Sequence, residues 1–287
     1  MTFPAQIITW LNVVTNALGK LLLAPAAVLP GWLSNTIISA VTGVVLLIIF
    51  KYTSNQRAIE RVKDNIKANM LALKLFKDSL AVTLSSQGQL FKGALLLLIY
   101  ALPPLLVMIV PVTLLLSQMA LWYQVRPLMP AEQAVVVMQL DKSGDQNQPD
   151  VRLEPSPAAS TGHLAAEVTL GPVHVPAKHQ IYWKITALEK GYQHLNFQVD
   201  GQQVQKEIAV GEGFMRVSVQ RPGQQWFDIF ENPAEKPFAA DSPVRSIAIN
   251  YPERHSFTCG TDWWVIYFFI ASMLFAFVFK PFLKVKI

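Results

Sequence analysis

Three long runs without a single charged side chain constrain this chain more than anything else in it: Trp32–Phe50, Gly93–Tyr123 and Trp263–Phe279. A helix needs about 20 mostly apolar residues to cross the hydrocarbon of a bilayer. The first and third runs are close to that length. The second exceeds it and carries Pro103, Pro104 and Pro111, which favour kinking. Only 15% of the residues are charged and the mean hydropathy is +0.33, against about 25% charged in ordinary soluble domains. The sequence therefore predicts an integral membrane protein with three spanning helices. Trp263, Trp264 and Tyr267 at one end of the third run suit a headgroup interface.

Charge placement gives direction. Residues 51–92 hold eight basic and three acidic side chains, and the tail adds Lys280, Lys284 and Lys286. Residues 121–262 hold twelve basic and sixteen acidic. The positive-inside rule then predicts an N-terminus outside, a cytoplasmic 51–92 loop, an extracytoplasmic 121–262 segment and a cytoplasmic tail. The first nineteen residues lack Lys and Arg, so no secretory signal peptide is expected. Trp10, Leu11, Val14, Leu18, Leu21 and Leu22 recur at helical spacing. They predict an amphipathic helix that lies on the outer leaflet or packs against the outer domain or a partner.

In Ser54–Phe76, Ile59, Val62, Ile66, Met70 and Leu73 form a coiled-coil-like seam, with Ser54 or Asn55 as cap. A shorter helix is expected over Leu80–Phe91 after a turn at Lys77–Asp78–Ser79. This basic helical hairpin presents Arg57, Arg61, Lys63, Lys67, Lys74 and Lys77. Its charge fits lipid headgroups, or docking to an acidic partner such as ribosomal RNA or a polar nascent chain.

After Pro127 the period changes to two. Strands are expected at Gln133–Leu140, His163–Leu170, Gln180–Leu188, Tyr192–Val199, Gln203–Val210, Phe214–Gln220 and, farther on, Ser246–Asn250. Asp200–Gly201 is the strongest hairpin signal, and Trp183 is the expected core anchor. Short strands at this spacing predict an immunoglobulin-like all-β sandwich. The single cysteine, Cys259, excludes an intrachain disulfide. The parts are then 1–31, an amphipathic segment; 32–50, the first span; 51–92, the hairpin; 93–123, the second span; 124–222, the sandwich; 223–262, an irregular collar; 263–280, the third span; and 281–287, the tail.

Nothing points to catalysis, so no enzyme and no cofactor is expected. Asp141, Ser143, Asp145 and Asn147 open like a calcium loop. The match then fails, with Gln146 at its glycine position and Arg152 at its bidentate glutamate position. His163, His174, His179, His194 and His255 form no close ligand pair, so no metal is expected. Polar residues inside the spans are the informative ones, because lipid makes them costly. Asn35, Ser39 and Thr42 share a face of the first span, Thr113 and Ser117 with Gln118 beside them lie in the second, and Ser272 lies in the third. They form either interhelical hydrogen bonds or a hydrophilic groove for a passing polar segment.

The segment Asn35–Gln118, with its run KYTSNQRAIERVKDNIKANMLALKLFKDS, closed by Trp263–Phe279, resembles the Oxa1 superfamily, which includes YidC-type insertases, over about half the chain. The likeness lies in topology and charge layout. It implies a membrane protein insertase or chaperone, with substrate helices met first by the hairpin and passed to a groove between spans. The implied partners are the bilayer, nascent membrane proteins and the ribosome, in a bacterial inner membrane, with no DNA. The competing expectation is a structural or assembly subunit whose sandwich docks an extracytoplasmic protein. A transporter ranks below both, because the spans are few and uncharged.

Overall fold

The computed structural model describes residues 3–24, 28–76, 80–141, 150–154, 164–255, 263–283 and 285. The helices are α1 (Phe3–Leu23), α2 (Gly31–Thr53), α3 (Gln56–Leu75), α4 (Leu80–Tyr123), α5 (Trp226–Glu231) and α6 (Trp263–Leu283). The strands are β1 (Gln133–Leu140), β2 (Val151–Glu154), β3 (Ala166–Val175), β4 (Gln180–Ala187), β5 (Gly191–Val199), β6 (Gln202–Val210), β7 (Gln220–Arg221) and β8 (Val244–Ile249). Two compact units result. One joins Met1–Asn35 to Leu114–Val265, the other Thr36–Thr113 to Ile266–Ile287.

Three helices, at Gly31–Thr53, Val82–Tyr123 and Trp263–Leu283, are long and apolar enough to cross a membrane. They mark the chain as a membrane protein. In the helical unit, α3 starts at Asn55, whose side chain accepts from Ala58 N at 3.1 Å. Its seam packs over the first half: Ile59 and Val62 are buried, and a Cβ at Gly93 would lie 2.7 Å from Ile66. Gly93 therefore lets the early part of α4 approach α3. The separate helix expected over Leu80–Phe91 is instead the first part of one 44-residue helix. Lys92 marks where charge ends, but no residue between Leu80 and Tyr123 stops the helix; Pro103, Pro104 and Pro111 lie inside it. The expected turn at Lys77–Asp78–Ser79 lies outside the described residues. The first and third spans close on each other at Gly43, where a Cβ would stand 2.2 Å from the Ser272 carbonyl oxygen. Thr36 and Tyr267 add a hydroxyl–hydroxyl bond of 2.6 Å. Small residues permit this approach where lipid gives no hydrophobic drive between helices.

The β-rich unit holds two antiparallel sheets, ordered β3-β4-β1-β8-β7 and β2-β5-β6, which share one core. Period-two patterning explains the layers. Ile181, Trp183, Ile185 and Ala187 of β4 are all buried, as are Leu195, Phe197 and Val199 of β5. Trp183 meets Phe197 edge-to-face at 5.3 Å between ring centres, linking the two sheets. Asp200 and Gly201 both take positive φ, 48° and 81°, as a two-residue hairpin turn between β5 and β6 requires. Val136 of central β1 faces Trp183 on one side and Ile249 on the other.

Three sequence expectations change here. β3 runs to Val175, straight through Gly171–Pro172, which the sequence marks as a break. Gly171 takes φ +125°, and a Cβ there would sit 2.9 Å from both Trp183 Cδ1 and the Tyr182 oxygen. The glycine serves close packing, with register shifts between Val168 and Leu170 and between Leu170 and Val173. Second, Phe214–Gln220 is not a strand: only Gln220–Arg221 pairs. Val217 N donates to Leu121 O, while Val219 O accepts from Ile249 N. The backbone thus divides its bonds between α4 and β8 and builds no ladder. Third, β2 and the short α5 were not expected. The calcium-like loop beyond Asp141, along with His163 and Cys259, lies outside the described residues.

Candidate functional site

On α3, Arg57, Arg61, Lys67 and Lys74 are exposed, and Lys77 lies outside the described residues. Lys67 makes a solvent-exposed ion pair of 3.6 Å with Asp64. Lys63 is half-buried; that desolvation, with Lys280 and Lys67 nearby, holds its ammonium pKa below the usual lysine value. The apolar seam is used unevenly. Past Ile66, the seam residue Met70 is more than half exposed and Leu73 is half-buried, and beside the seam Leu71, Leu75 and Phe76 are more than half exposed. Leu84 and Phe91, on the early part of α4, are exposed as well. The second span is also the barest. In its most apolar window 6% of residues are buried, against 33% in the first span.

The polar span residues fall in both units. In the helical unit, Thr42 donates to Ile38 O (2.7 Å), Thr113 to Ile109 O (2.8 Å) and Ser272 to Phe269 O (3.0 Å), all bonds within a single helix. Ser39 is fully buried. In the β-rich unit, Ser117 bonds back to Leu114 O, and Asn35 reaches Trp264 O at 3.5 Å. There the ends of the three spans meet on Tyr123. Its hydroxyl bonds Ser34 at 2.8 Å and its ring stacks on Trp264.

Gln118 makes a hydrogen bond to another helix. Its amide donates to Asn16 Oδ1 of α1 at 2.9 Å, and Arg216 donates to the same oxygen at 3.0 Å. Asn16 in turn donates to Pro233 O and Asn12 to Ile229 O. The N-terminal helix is therefore docked on the β-rich unit by a polar stripe. Its apolar residues Trp10, Val14, Leu18, Leu21 and Leu22 remain exposed on the opposite face. Burial lowers the Arg216 pKa, with Glu207 opposing the shift.

Beside this stripe lies a buried charge centre. Lys206 is fully enclosed and donates to Ser218 O (2.8 Å), Glu207 O (2.9 Å) and Glu235 Oε1 (2.5 Å). Glu235 also accepts from Ser218 Oγ and from Glu207 N. Desolvation lowers the Lys206 pKa against the pull of Glu235. Apolar residues at helical spacing announce α1, but they say nothing of Asn12 and Asn16 as its docking residues. Their spacing of four, opposite Trp10, Val14 and Leu18, was the available signal. Lys206 and Glu235 are 29 residues apart and nothing in their spacing links them.

Among the described residues, no group of three or more His, Cys, Asp or Glu is placed to hold a metal. Comparison with family models, curated proteins and solved structures returned no match to this chain.

Proposed function

We propose that this chain is a membrane protein insertase or chaperone of the Oxa1-superfamily type, resident in a bacterial inner membrane with its hairpin in the cytoplasm. One observation carries the reading: among the described residues, the C-terminal end of α3 and Phe76 after it leave four large apolar side chains more than half exposed. Met70, Leu71, Leu75 and Phe76 are more than half exposed beside Lys67 and Lys74, with Arg57 and Arg61 exposed nearer the start of the same helix. A water-exposed apolar tip of this kind has a cost unless something covers it. An emerging transmembrane segment is a covering of matching chemistry, and the basic side chains attract lipid phosphates or ribosomal RNA around it. The apolar flank of α4, bare within the chain, offers the segment a path into lipid. On this reading the outer sheets are an immunoglobulin-like sandwich that steadies the span ends.

The test is reconstitution. Vesicles carrying the purified chain are given a newly synthesised single-span substrate, and insertion is read by protease protection. The expected result is several-fold more protected substrate than in empty vesicles. Equal protection would remove the insertase reading.

A second reading has its own observation. β3 is an edge strand, paired only with β4, and it exposes Val168, Leu170 and Val173. An open apolar edge accepts an added strand, as an assembly subunit docking an extracytoplasmic protein would require. Stable copurification of one such protein, lost on substituting Leu170→Lys, would favour it.

A further inference from the structure

A cavity of about 360 Å³ opens between β2 and β3, the end strands of the two sheets. That size is within the range of ligand sites, about 300–1,000 Å³. β2 pairs only with β5 and β3 only with β4, so each has one flank without a strand partner. The sandwich is closed at β4 and open here. Val168 and His174 of β3 pair with Ile185 and Ile181 of β4, and cross-strand partners share a face of the sheet. All four therefore point to the core side. Ile181 and Ile185 are buried there, whereas Val168 and His174 are exposed.

The floor gives the cavity a chemistry. Trp183 lines it, although the residue is only 2% exposed. The pyrrole edge of its ring is turned to Gly171, where a Cβ would stand 2.9 Å from Trp183 Cδ1. A glycine at this position leaves the edge clear for close approach. Nε1 is the next atom along that edge, and among the described residues no group accepts from it. A buried indole N–H ordinarily has an acceptor. The nitrogen is not sealed in, either: the fully buried side-chain atoms that lack a partner include Asn12 Oδ1 and Arg216 Nε, and not Trp183 Nε1. A ring locked in the core thus holds a donor open to the cavity. Leu153, Val168 and Pro172 supply apolar walls. Asp150 and Arg152 are the acid and base of the lining, and they pair with each other at 3.0 Å. The cavity therefore suits an uncharged acceptor beside a small apolar group. A peptide carbonyl next to an apolar side chain has this form, and an extended chain also bonds to open strand flanks.

We infer that this cavity seats an extended peptide segment of an extracytoplasmic protein, with a backbone carbonyl accepting from Trp183 Nε1 and an apolar side chain against Leu153 and Val168. The inference deepens the docking reading above and rests on it for the source of the peptide. It places the contact on the inner face of β3. Leu170 pairs with exposed Lys184 and so lies on the outer one.

The experiment titrates the full chain, in lipid nanodiscs, into a fluorescein-labelled and C-terminally amidated peptide of alternating threonine and valine. Anisotropy is read, with empty nanodiscs as baseline. Saturable binding is expected. Val168→Arg, at an exposed position, should weaken it about ten-fold by putting a charge in the mouth. Replacing Trp183 by 3-benzothienylalanine keeps the ring shape and puts sulfur in place of the N–H. That change should weaken binding about five-fold, as the loss of one neutral hydrogen bond does, with the thermal midpoint of the β-sheet signal unchanged. Excess unlabelled peptide should displace the probe, and octanoate at the same concentration should not. Absence of saturable binding would overturn the assignment. So would wild-type affinity in either variant, or equal displacement by octanoate. Copurification tests the docking reading separately. A protein lost with Leu170→Lys, together with a peptide that does not bind, strikes the cavity alone; the reverse strikes the docking reading alone.

Discussion

The two units handle apolar residues in opposite ways. In the β-rich unit, Trp183, Ile185, Phe197 and Met138 are almost wholly enclosed, and the two sheets are held by side chains that touch each other. In the helical unit, the side chains of α4 point outwards along its length: Leu98, Leu106 and Val110 are more than half exposed. The first unit supplies its own apolar solvent and the second borrows it from lipid. The difference shows where a substitution will be felt as lost folding and where as lost function.

Trp183→Ala should have the largest effect. Large-to-small changes of buried aromatics cost about 3–5 kcal/mol, and this ring ties the two sheets. Denaturant unfolding of the purified chain should show that loss in the β-sheet signal while the helical signal at low denaturant is unchanged. Glu235→Ala should follow, at about 3–5 kcal/mol, because it strands the enclosed Lys206 ammonium. Replacing both partners, Lys206→Met with Glu235→Leu, should restore most of it. If the double variant is as unstable as the single one, the buried pair is not the cause.

In the helical unit the equivalent test is Gly43→Leu. The carbonyl of Ser272 stands where the new Cβ must go, and overpacking costs about 1–3 kcal/mol. Thermal melting of the helical signal in detergent should fall, with the β-sheet transition untouched. A smaller effect is expected at the junction after α4, where Arg126 grips Glu132 through two bonds of 2.8 Å. The hydrogen bond from Arg126, helped by Met129 N, holds the Glu132 pKa below the usual carboxylate range, against desolvation. A lowered folded pKa means stability that is present above the unfolded value and lost as pH falls through the folded one. Glu132→Gln should therefore cost about 1 kcal/mol at neutral pH, and nothing once acid has protonated the native carboxylate.

How much was legible follows the same division. The spans are compositional and were readable at once. The faces of β4 and β5 follow from period-two alternation, and the hairpin turn from Asp200–Gly201. What escaped was set by contacts distant in sequence. Asn12 and Asn16 donate to backbone carbonyls 217 positions away. The Phe214–Gln220 segment alternates like a strand, but its backbone bonds go to α4 and β8. In the candidate groove, spacing showed that Asn35, Ser39 and Thr42 share a face. It could not show that Thr42 bonds its own helix, or that Gln118 serves α1.

The smallest effect on stability, and the largest proposed effect on activity, belongs to the hairpin tip. Changing Met70, Leu71, Leu75 and Phe76 together to Ser removes exposed apolar surface and should alter stability by no more than about 0.5 kcal/mol per site. The most direct measurement places a photo-crosslinking residue at Met70 in the intact membrane-embedded chain during synthesis of a single-span protein. The account predicts crosslinks to the apolar segment of the nascent chain, lost when Leu71, Leu75 and Phe76 become Ser. Crosslinks to lipid alone, with insertion unchanged when the chain is removed, would contradict it.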